Sequence, residues 1–474
     1  HHAWSEMEHD LIYKPQKELT DFDTRAFEAI REAFKKTMTE HIIPATRDFG
    51  HIFREHEKLK QGRGVFDVAF LKKLEDAKSL NEIQEDLKLL LQYTKEFGDK
   101  TPKELKLIDL IKKLLIKSKT LKAEPIKTAF GRLRGSKRDD IVLAVLEILD
   151  VLRYWHIEET CEICFNLIKT EKDPRIVSKA TEVLKNICKY DLRILRTGGY
   201  HPQKTALDFL KKSGALKETR TVGAVATMLQ EIVSLSFHGV SDSNYNSITF
   251  QPTTLNATKG LKLIRKTAIE NAKALYGAAK GIKNKRAILN VLEQALRSSE
   301  YPVSENADEI DKMLARDTKN ILDFYAVLIK HEENEIIQEV ESHLTFLQRH
   351  PNRITPLSTN LFKAIGENGD YQIFKVFVGY DVGFYPDLDF EKAKNYRNTK
   401  INEYIADISP QTLNKWKKIF RKITKNYKES APDLFTYFNQ FLFELGKQKP
   451  DIALTLIKEK SLELFLIHLV AGIW

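Results

Sequence analysis

The sequence predicts an all-α protein, a HEAT-like α-solenoid of antiparallel helix pairs with one small inserted β-hairpin. Three observations lead there. The chain has 474 residues with only 14 Pro and 20 Gly, too few breakers for a fold of turns and short strands. Apolar residues recur at three- and four-residue steps along most of its length, the period of a helix with one buried stripe. Near the C-terminus Pro410, Pro432 and Pro450 stand about twenty residues apart, one helix and a short turn each. Amphipathic helices joined in this way stack as antiparallel pairs, each covering its neighbour's apolar face.

Taken in order, "DTRAFEAIREAFKKTMTEHI", "IQEDLKLLLQYTKEF" and "TPKELKLIDLIKKLLIKSKT" make residues 1–120 an N-terminal helical segment, the expected link from a module upstream. In the third of these Thr101, Pro102 and Glu104 read as an N-cap, a first-turn proline and a carboxylate facing the open N–H groups. Residues 121–474 read as the repeats, beginning with "DDIVLAVLEILDVLRYW". Within them "VSLSFHGVSDSNYNSITFQPTTL" alternates apolar and polar residues about a Ser/Asp/Asn turn, which predicts a hairpin near 233–251. The stretch "VFVGYDVGFYPDLDFEKAKNYRN" predicts a long aromatic loop around 378–390.

The final segment, from Ser461 as N-cap to Trp474, is apolar nearly all round and is expected to be an interior helix. Its cover would then lie in a following repeat, the chain would be a piece of a longer protein, and Phe465, Leu469 and Trp474 would present an apolar surface.

Bulk properties narrow the function. Lys and Arg number 76 against 66 Asp and Glu, so the net charge of +10 is diluted over mixed helix faces. Cys161, Cys164 and Cys188 are the only cysteines, which excludes a disulfide framework and fits a reducing cytoplasm. Neither a signal peptide nor an apolar run of membrane-spanning length is present.

Catalytic motifs fail one by one. In "GGYHPQKT", Gly198, Lys204 and Thr205 occupy P-loop positions, but Gln203 stands where the second glycine must be and Pro202 removes an N–H donor. "CEIC" puts Cys161 and Cys164 on adjacent turns of one helix, whereas zinc knuckles use that spacing on a loop. "HEENE" at His331 lacks the second His of a zinc protease. The segment is therefore expected to be no enzyme and to hold no metal or cofactor.

Binding residues come in two kinds. Arg132, Arg134, Lys137 and Arg138, then Lys283, Lys285 and Arg286, then Lys417 and Arg421 beside Trp416, Phe420 and Tyr427, would suit phosphate contact if they shared a face. Phe384, Tyr385 and Tyr396 are the candidate anchors for a protein ligand on the concave face, because aromatics dominate interface hot spots.

"DPRIVSKATEVLKNI" resembles the second helix of a HEAT repeat: Asp173, Pro174, Val177, Ala180 and Leu184 fit its pattern, and Ser178 replaces the usual Arg. The order of segments, "YDLRILRTGGYHPQKTALDFL", "ITFQPTTLNATKGLKLIRKTAIENAKALY" and "FNQFLFELGKQKPDIALTLIKEKSLELFLIHLVAGIW", resembles the C-terminal helical-repeat sensor region of prokaryotic STAND-type NTPases of anti-phage defence over residues 120–474. That resemblance implies a sensor of a foreign or phage protein, coupled to an NTPase and effector elsewhere in the chain. ATP and Mg would belong to that NTPase, and recognition would release homo-oligomerisation. The alternative is a nucleic-acid-binding repeat protein that uses the basic loops and stripes.

Overall fold

The computed structural model describes residues 68–97, 106–121, 125–127, 133–191, 194–195, 198–244, 247–297, 307–348, 356–380 and 389–474. These are predominantly helical, and none of their helices is long and apolar enough to cross a membrane. Contacts divide the chain into two compact units: residues up to Ala215 with Phe237–Thr253, and Leu216–Ser236 with Thr254–Trp474.

The first unit contains α1 (Val68–Asp76), α2 (Leu80–Phe97), α3 (Leu107–Thr120), α4 (Lys137–Leu152), α5 (Ile157–Thr170), α6 (Pro174–Cys188) and α7 (His201–Lys212). Strand β1 (Pro125–Lys127) pairs antiparallel with β2 (Leu133–Ser136) ahead of α4, and β3 (Ser236–Asn244) pairs with β4 (Ser247–Thr254). Helix α4 packs against α2, α3 and α6, and Leu146 is buried along with the stripe of Ile141, Val142, Val145, Ile148 and Leu149, which widens the covered face. An apolar run with little amphipathicity is the sequence of a helix covered on several sides.

Local chemistry sets the helix starts. Asp173 accepts the Arg175 backbone N–H at 2.8 Å and Pro174, which has no N–H, opens α6, so two of the open positions of the first turn are accounted for. Helix α3 opens at Leu107 because Lys106 is left-handed (φ 45°); the cap expected at Thr101, Pro102 and Glu104 lies outside the described residues.

The second unit runs α8 (Val222–Val233), α9 (Lys259–Ala278), α10 (Ile282–Leu296), α11 (Ala307–His331), α12 (Asn334–Gln348), α13 (Pro356–Glu367), α14 (Gly369–Phe377), α15 (Phe390–Asp407), α16 (Leu413–Thr424), α17 (Thr436–Gln448), α18 (Pro450–Leu456) and α19 (Leu466–Ile473). From α8 to α14 each helix contacts the next and the one after it, a repeat-like packing in which every apolar stripe is covered by its sequence neighbours. Two buried arginines fasten this unit. Arg265 of α9 donates Nε to Asp317 of α11 at 3.0 Å, Nη2 to the Ala295 carbonyl at 3.0 Å and Nη1 to the Val233 carbonyl. Arg397 of α15 donates to the carbonyls of Gly379 (2.8 Å), Lys375 (3.1 Å) and Tyr380 (3.3 Å).

The C-terminal helices depart from expectation in three places. Pro450 opens α18, but Pro432 opens a 3₁₀ turn ahead of α17, and Pro410 lies in a turn whose Ser409–Thr412 bonds delay α16 to Leu413. Residues Lys460–Phe465 form 3₁₀ helix before α19, and Ser461 bonds Glu459 instead of capping a helix. Phe465 and Leu469 are covered, contrary to the expected apolar surface, whereas Leu464 (55%), Ile467 (74%) and Trp474 (100%) are exposed. The cover comes from an aromatic cluster: Phe465 lies 4.5 Å from Tyr427, 5.1 Å from Phe438 and 5.8 Å from Phe435, ring centre to ring centre.

Two glycines let α19 come this close to α17. A Cβ on Gly446 would meet the Leu469 carbonyl, and one on Gly472 would meet the Phe443 carbonyl. Gly446→Ala should therefore cost about 1–3 kcal/mol in urea unfolding, because backbone cannot yield as a side chain does. Gly277→Ala on α9, where nothing lies within 4 Å, should be neutral or stabilising by up to about 1 kcal/mol. Equal effects at the two sites would show that the α17–α19 approach is not what Gly446 serves.

Candidate functional site

The second unit contains a cleft of about 490 Å³ between α10 and α12, closed on one side by the segment after α14. Helix α10 and its exit contribute Arg286, Glu293 and Arg297; α12 contributes Gln338, Glu339, Glu341, Ser342, Thr345 and Phe346; Gly379, Tyr380 and Leu434 complete it. The α12 residues recur at three- and four-residue spacings, which brings them to neighbouring rows of one helix. Gly379 shapes the opposite wall. Its φ of 108° is open to glycine and strained for other residues, its N–H donates to the Leu434 carbonyl at 2.8 Å, and Gln338 Nε2 bonds the preceding Val378 carbonyl at 2.9 Å.

Charges in the cleft come mostly as pairs. Arg297 Nη2 lies 2.6 Å from Glu293, and its guanidinium lies 5.0 Å from the centre of the Phe346 ring. Glu341 accepts Lys375 at 2.7 Å and the Tyr371 hydroxyl at 2.6 Å. The third pair is loose: Arg286 Nε stands 3.5 Å from Glu339 and forms no hydrogen bond.

Behind these carboxylates lies a buried histidine. His343 Nδ1 is 2.7 Å from the Tyr325 hydroxyl, and Nε2 is 3.8 Å from Glu339 and 3.9 Å from Glu293 with no hydrogen-bond partner. Burial holds His343 down at about 4, so the ring is neutral near pH 7. Burial also raises Glu339, with Arg286 opposing and Glu293 reinforcing. The arrangement can orient a polar guest by hydrogen bonds on a partly apolar wall.

The residues singled out from sequence lie elsewhere, apart from Arg286, or are already engaged. Phe384, Tyr385 and Arg132 lie outside the described residues. Arg134 is in β2 and Lys137 opens α4. Arg138 makes a two-pronged contact with Glu171 at 3.0 and 2.5 Å. Lys283 is exposed at the start of α10, where Glu429 accepts the Ile282 and Lys283 backbone N–H groups at 3.0 and 3.5 Å. Lys285 bonds both oxygens of Glu332 at 2.8 and 2.7 Å. Arg421 holds Glu459 at 3.0 and 3.1 Å, and Lys417 is among the charges that lower the Glu459 pKa after Arg421.

Two of the aromatics beside that basic stripe are core residues and the third is half-buried. Trp416 and Phe420 are buried, with Trp416 Nε1 donating to Asp407 at 2.9 Å, and Tyr427 packs on Phe435 and Phe465. They are not open stacking platforms, because helix α16 turns its aromatic face inward. Tyr396 is exposed, with Lys400 Nζ 5.9 Å from its ring centre.

Two other motifs find structural explanations. Gln203 of the P-loop-like string is buried at the start of α7, where its amide donates to the Cys188 and Lys189 carbonyls at 3.2 and 3.0 Å. All three cysteines are buried and unbridged; burial pushes Cys161 up to about 12 and Cys164 in the same direction, so both remain thiols.

No protein-family model matches the chain, and no curated protein matches it in sequence.

The buried imidazole predicts a pH dependence. Its folded pKa lies below the ordinary 6.5, so between pH 6.5 and 4 the unfolded chain binds a proton that the folded chain refuses. Its contribution is intact above pH 6.5 and falls away as the pH drops toward 4, by on the order of 3 kcal/mol. Glu335 and Glu339, both raised mainly by burial, act in the opposite sense and flatten the total. Denaturant unfolding of His343→Gln should accordingly show a weaker loss of stability across this window than the unsubstituted protein; parallel profiles would contradict the assignment.

Proposed function

We propose that the chain is the protein-recognition region of a sensor: a HEAT-like α-solenoid with an inserted hairpin whose concave face binds a foreign or phage protein and couples that event to an NTPase and effector elsewhere in the chain. On this reading the segment is not itself an enzyme, carries no cofactor of its own, and passes its signal through homo-oligomerisation. ATP and Mg act in the NTPase module.

The observation that carries the choice of a protein over a nucleic acid is the pairing of the basic side chains. Arg138, Lys285 and Arg421 each meet a carboxylate at hydrogen-bond distance, and so do their neighbours Lys422 (Asp370, 2.6 Å) and Lys425 (Glu333, 2.7 Å). A guanidinium or ammonium already paired must give up that partner before it binds phosphate, which removes much of the counterion-release gain. Exposed aromatics support the same reading: Phe390 and Tyr396 are exposed on α15, while most of the expected aromatic loop around 378–390 lies outside the described residues.

A two-hybrid screen of this chain against phage-encoded proteins, followed by calorimetry on the purified pair, tests the proposal. A specific protein ligand whose affinity falls at least roughly tenfold in Tyr396→Ala is expected, the loss typical of an interface anchor. A screen without a ligand, together with tight DNA or RNA binding that weakens steeply with salt, would overturn it in favour of nucleic-acid recognition.

A further inference from the structure

The segment from the 3₁₀ turn Lys460–Phe465 through α19 carries two stripes on opposite sides. Leu462, Phe465, Leu469 and Gly472 are buried, at intervals of three, four and three residues. Two positions further along in each case stand Leu464, Ile467, Ala471 and Trp474, all exposed. Two residues turn a helix through about 200°, so the exposed stripe faces away from the buried one. It is apolar along its whole length.

The spacing of this stripe is self-complementary. Intervals of three, four and three read the same in both directions, so a second copy laid antiparallel sets Ile467 against Ala471 and Leu464 against Trp474. Large then meets small at the centre, where crossing helices come closest, and large meets large toward the ends, where they diverge. A parallel copy would instead set Ile467 against Ile467 and Trp474 against Trp474.

Charges beside the stripe favour the same arrangement. Glu463, four residues before Ile467, flanks the Leu464 end and is exposed. At the other end lies α17: the Lys447 backbone nitrogen is 3.1 Å from where a Cβ on Gly472 would stand, and Lys447 is exposed. The nearby Glu444 is engaged by Gln448 at 3.5 Å, and Lys460 precedes Leu464 by four residues, beyond the stripe. Antiparallel pairing therefore brings Glu463 of each copy toward Lys447 of the other, whereas parallel pairing opposes like charges.

Leu464, Ile467 and Trp474, with Phe443 at the border, expose on the order of 500 Å² per copy, so a symmetric pair buries about 1,000 Å², the lower end of specific interfaces. We propose that the stripe Leu464–Ile467–Ala471–Trp474 is the two-fold face of a weak antiparallel homodimer, oriented by Glu463 and Lys447 across the axis. It supplies a face for the homo-oligomerisation of the sensor reading, while pairing of the chain without a ligand does not need that reading.

Sedimentation velocity of the purified chain from about 1 to 200 μM tests this, with a reversible dimer of Kd on the order of 10–100 μM expected. Ile467→Lys should leave a monomer throughout that range, with circular dichroism and thermal unfolding unchanged because the side chain is exposed. Glu463→Lys and Lys447→Glu should each weaken pairing about tenfold, as two exposed pairs turn from attraction to repulsion, and the two changes together should restore it. A chain that stays monomeric at the top of the range assigns the stripe to some other partner and overturns the proposal. Undiminished dimer in Ile467→Lys, or no recovery in the charge-swapped double variant, would overturn it as well. The measurement uses no ligand, so its failure leaves the sensor reading standing, and failure of the two-hybrid screen leaves the dimer standing.

Discussion

A buried guanidinium has to find acceptors for its N–H groups, and in this protein that requirement fixes where helices end. Arg265, with no exposed surface, takes the carbonyls of Val233 and Ala295, at the last residue of α8 and the penultimate residue of α10. Carbonyls in the last turn of a helix have no partner of their own kind, so each gains one and part of the arginine's desolvation cost is offset. Asp317 supplies the counter-charge from α11. Arg397 does the same for the exit of α14, whose carbonyls at Lys375, Gly379 and Tyr380 it gathers beneath the ring of Tyr437. Both anchors bear on the polar cleft. Ala295 lies two residues before Arg297, and Gly379 and Tyr380 form the facing wall.

The same logic governs the charges outside the core. A net charge of +10 suggests an anion-binding surface when read along the chain, yet in three dimensions Lys285 meets Glu332 and Arg421 meets Glu459, from positions far apart in sequence. Pairs of this sort contribute little to stability when exposed. Their effect is on potential: a lysine beside a carboxylate no longer acts as an open positive site. Side chains that remain exposed and apolar, such as Phe390, Ile467 and Trp474, are accordingly the more distinctive surface features.

Helices were legible in the sequence because their signal is local. The apolar period located α2, α3 and α4, and the HEAT-like string that begins at Asp173 and Pro174 coincides with α6. The proline rule worked at Pro450 and missed at Pro410, where a pair of hydroxyl side chains stabilises a turn that extends past the proline. Contacts between distant segments were not legible. Nothing in "LIRKTAIE" says that Arg265 is buried, since its partners lie in three other helices. Trp416 and Phe420 stand beside a basic stripe in the sequence yet face the core, because sequence gives the period of a helix and not the side on which its cover lies. The cleft left only a trace, the Glu339 and His343 pair four residues apart; its other half comes from α10 and from the turn at Gly379. The reach of inference from sequence thus ended where acceptors, counter-charges and cover came from another helix.

The central claim is that the Arg265 anchor joins α8, α9, α10 and α11 into one body. A double-mutant cycle in denaturant unfolding, with Arg265→Met, Asp317→Leu and the pair together, measures it directly. Each single replacement should cost about 3–5 kcal/mol by leaving a buried charge or its acceptors unmatched, and the double replacement should cost well below the sum of the two. Single effects under about 1 kcal/mol, or strict additivity, would contradict the account.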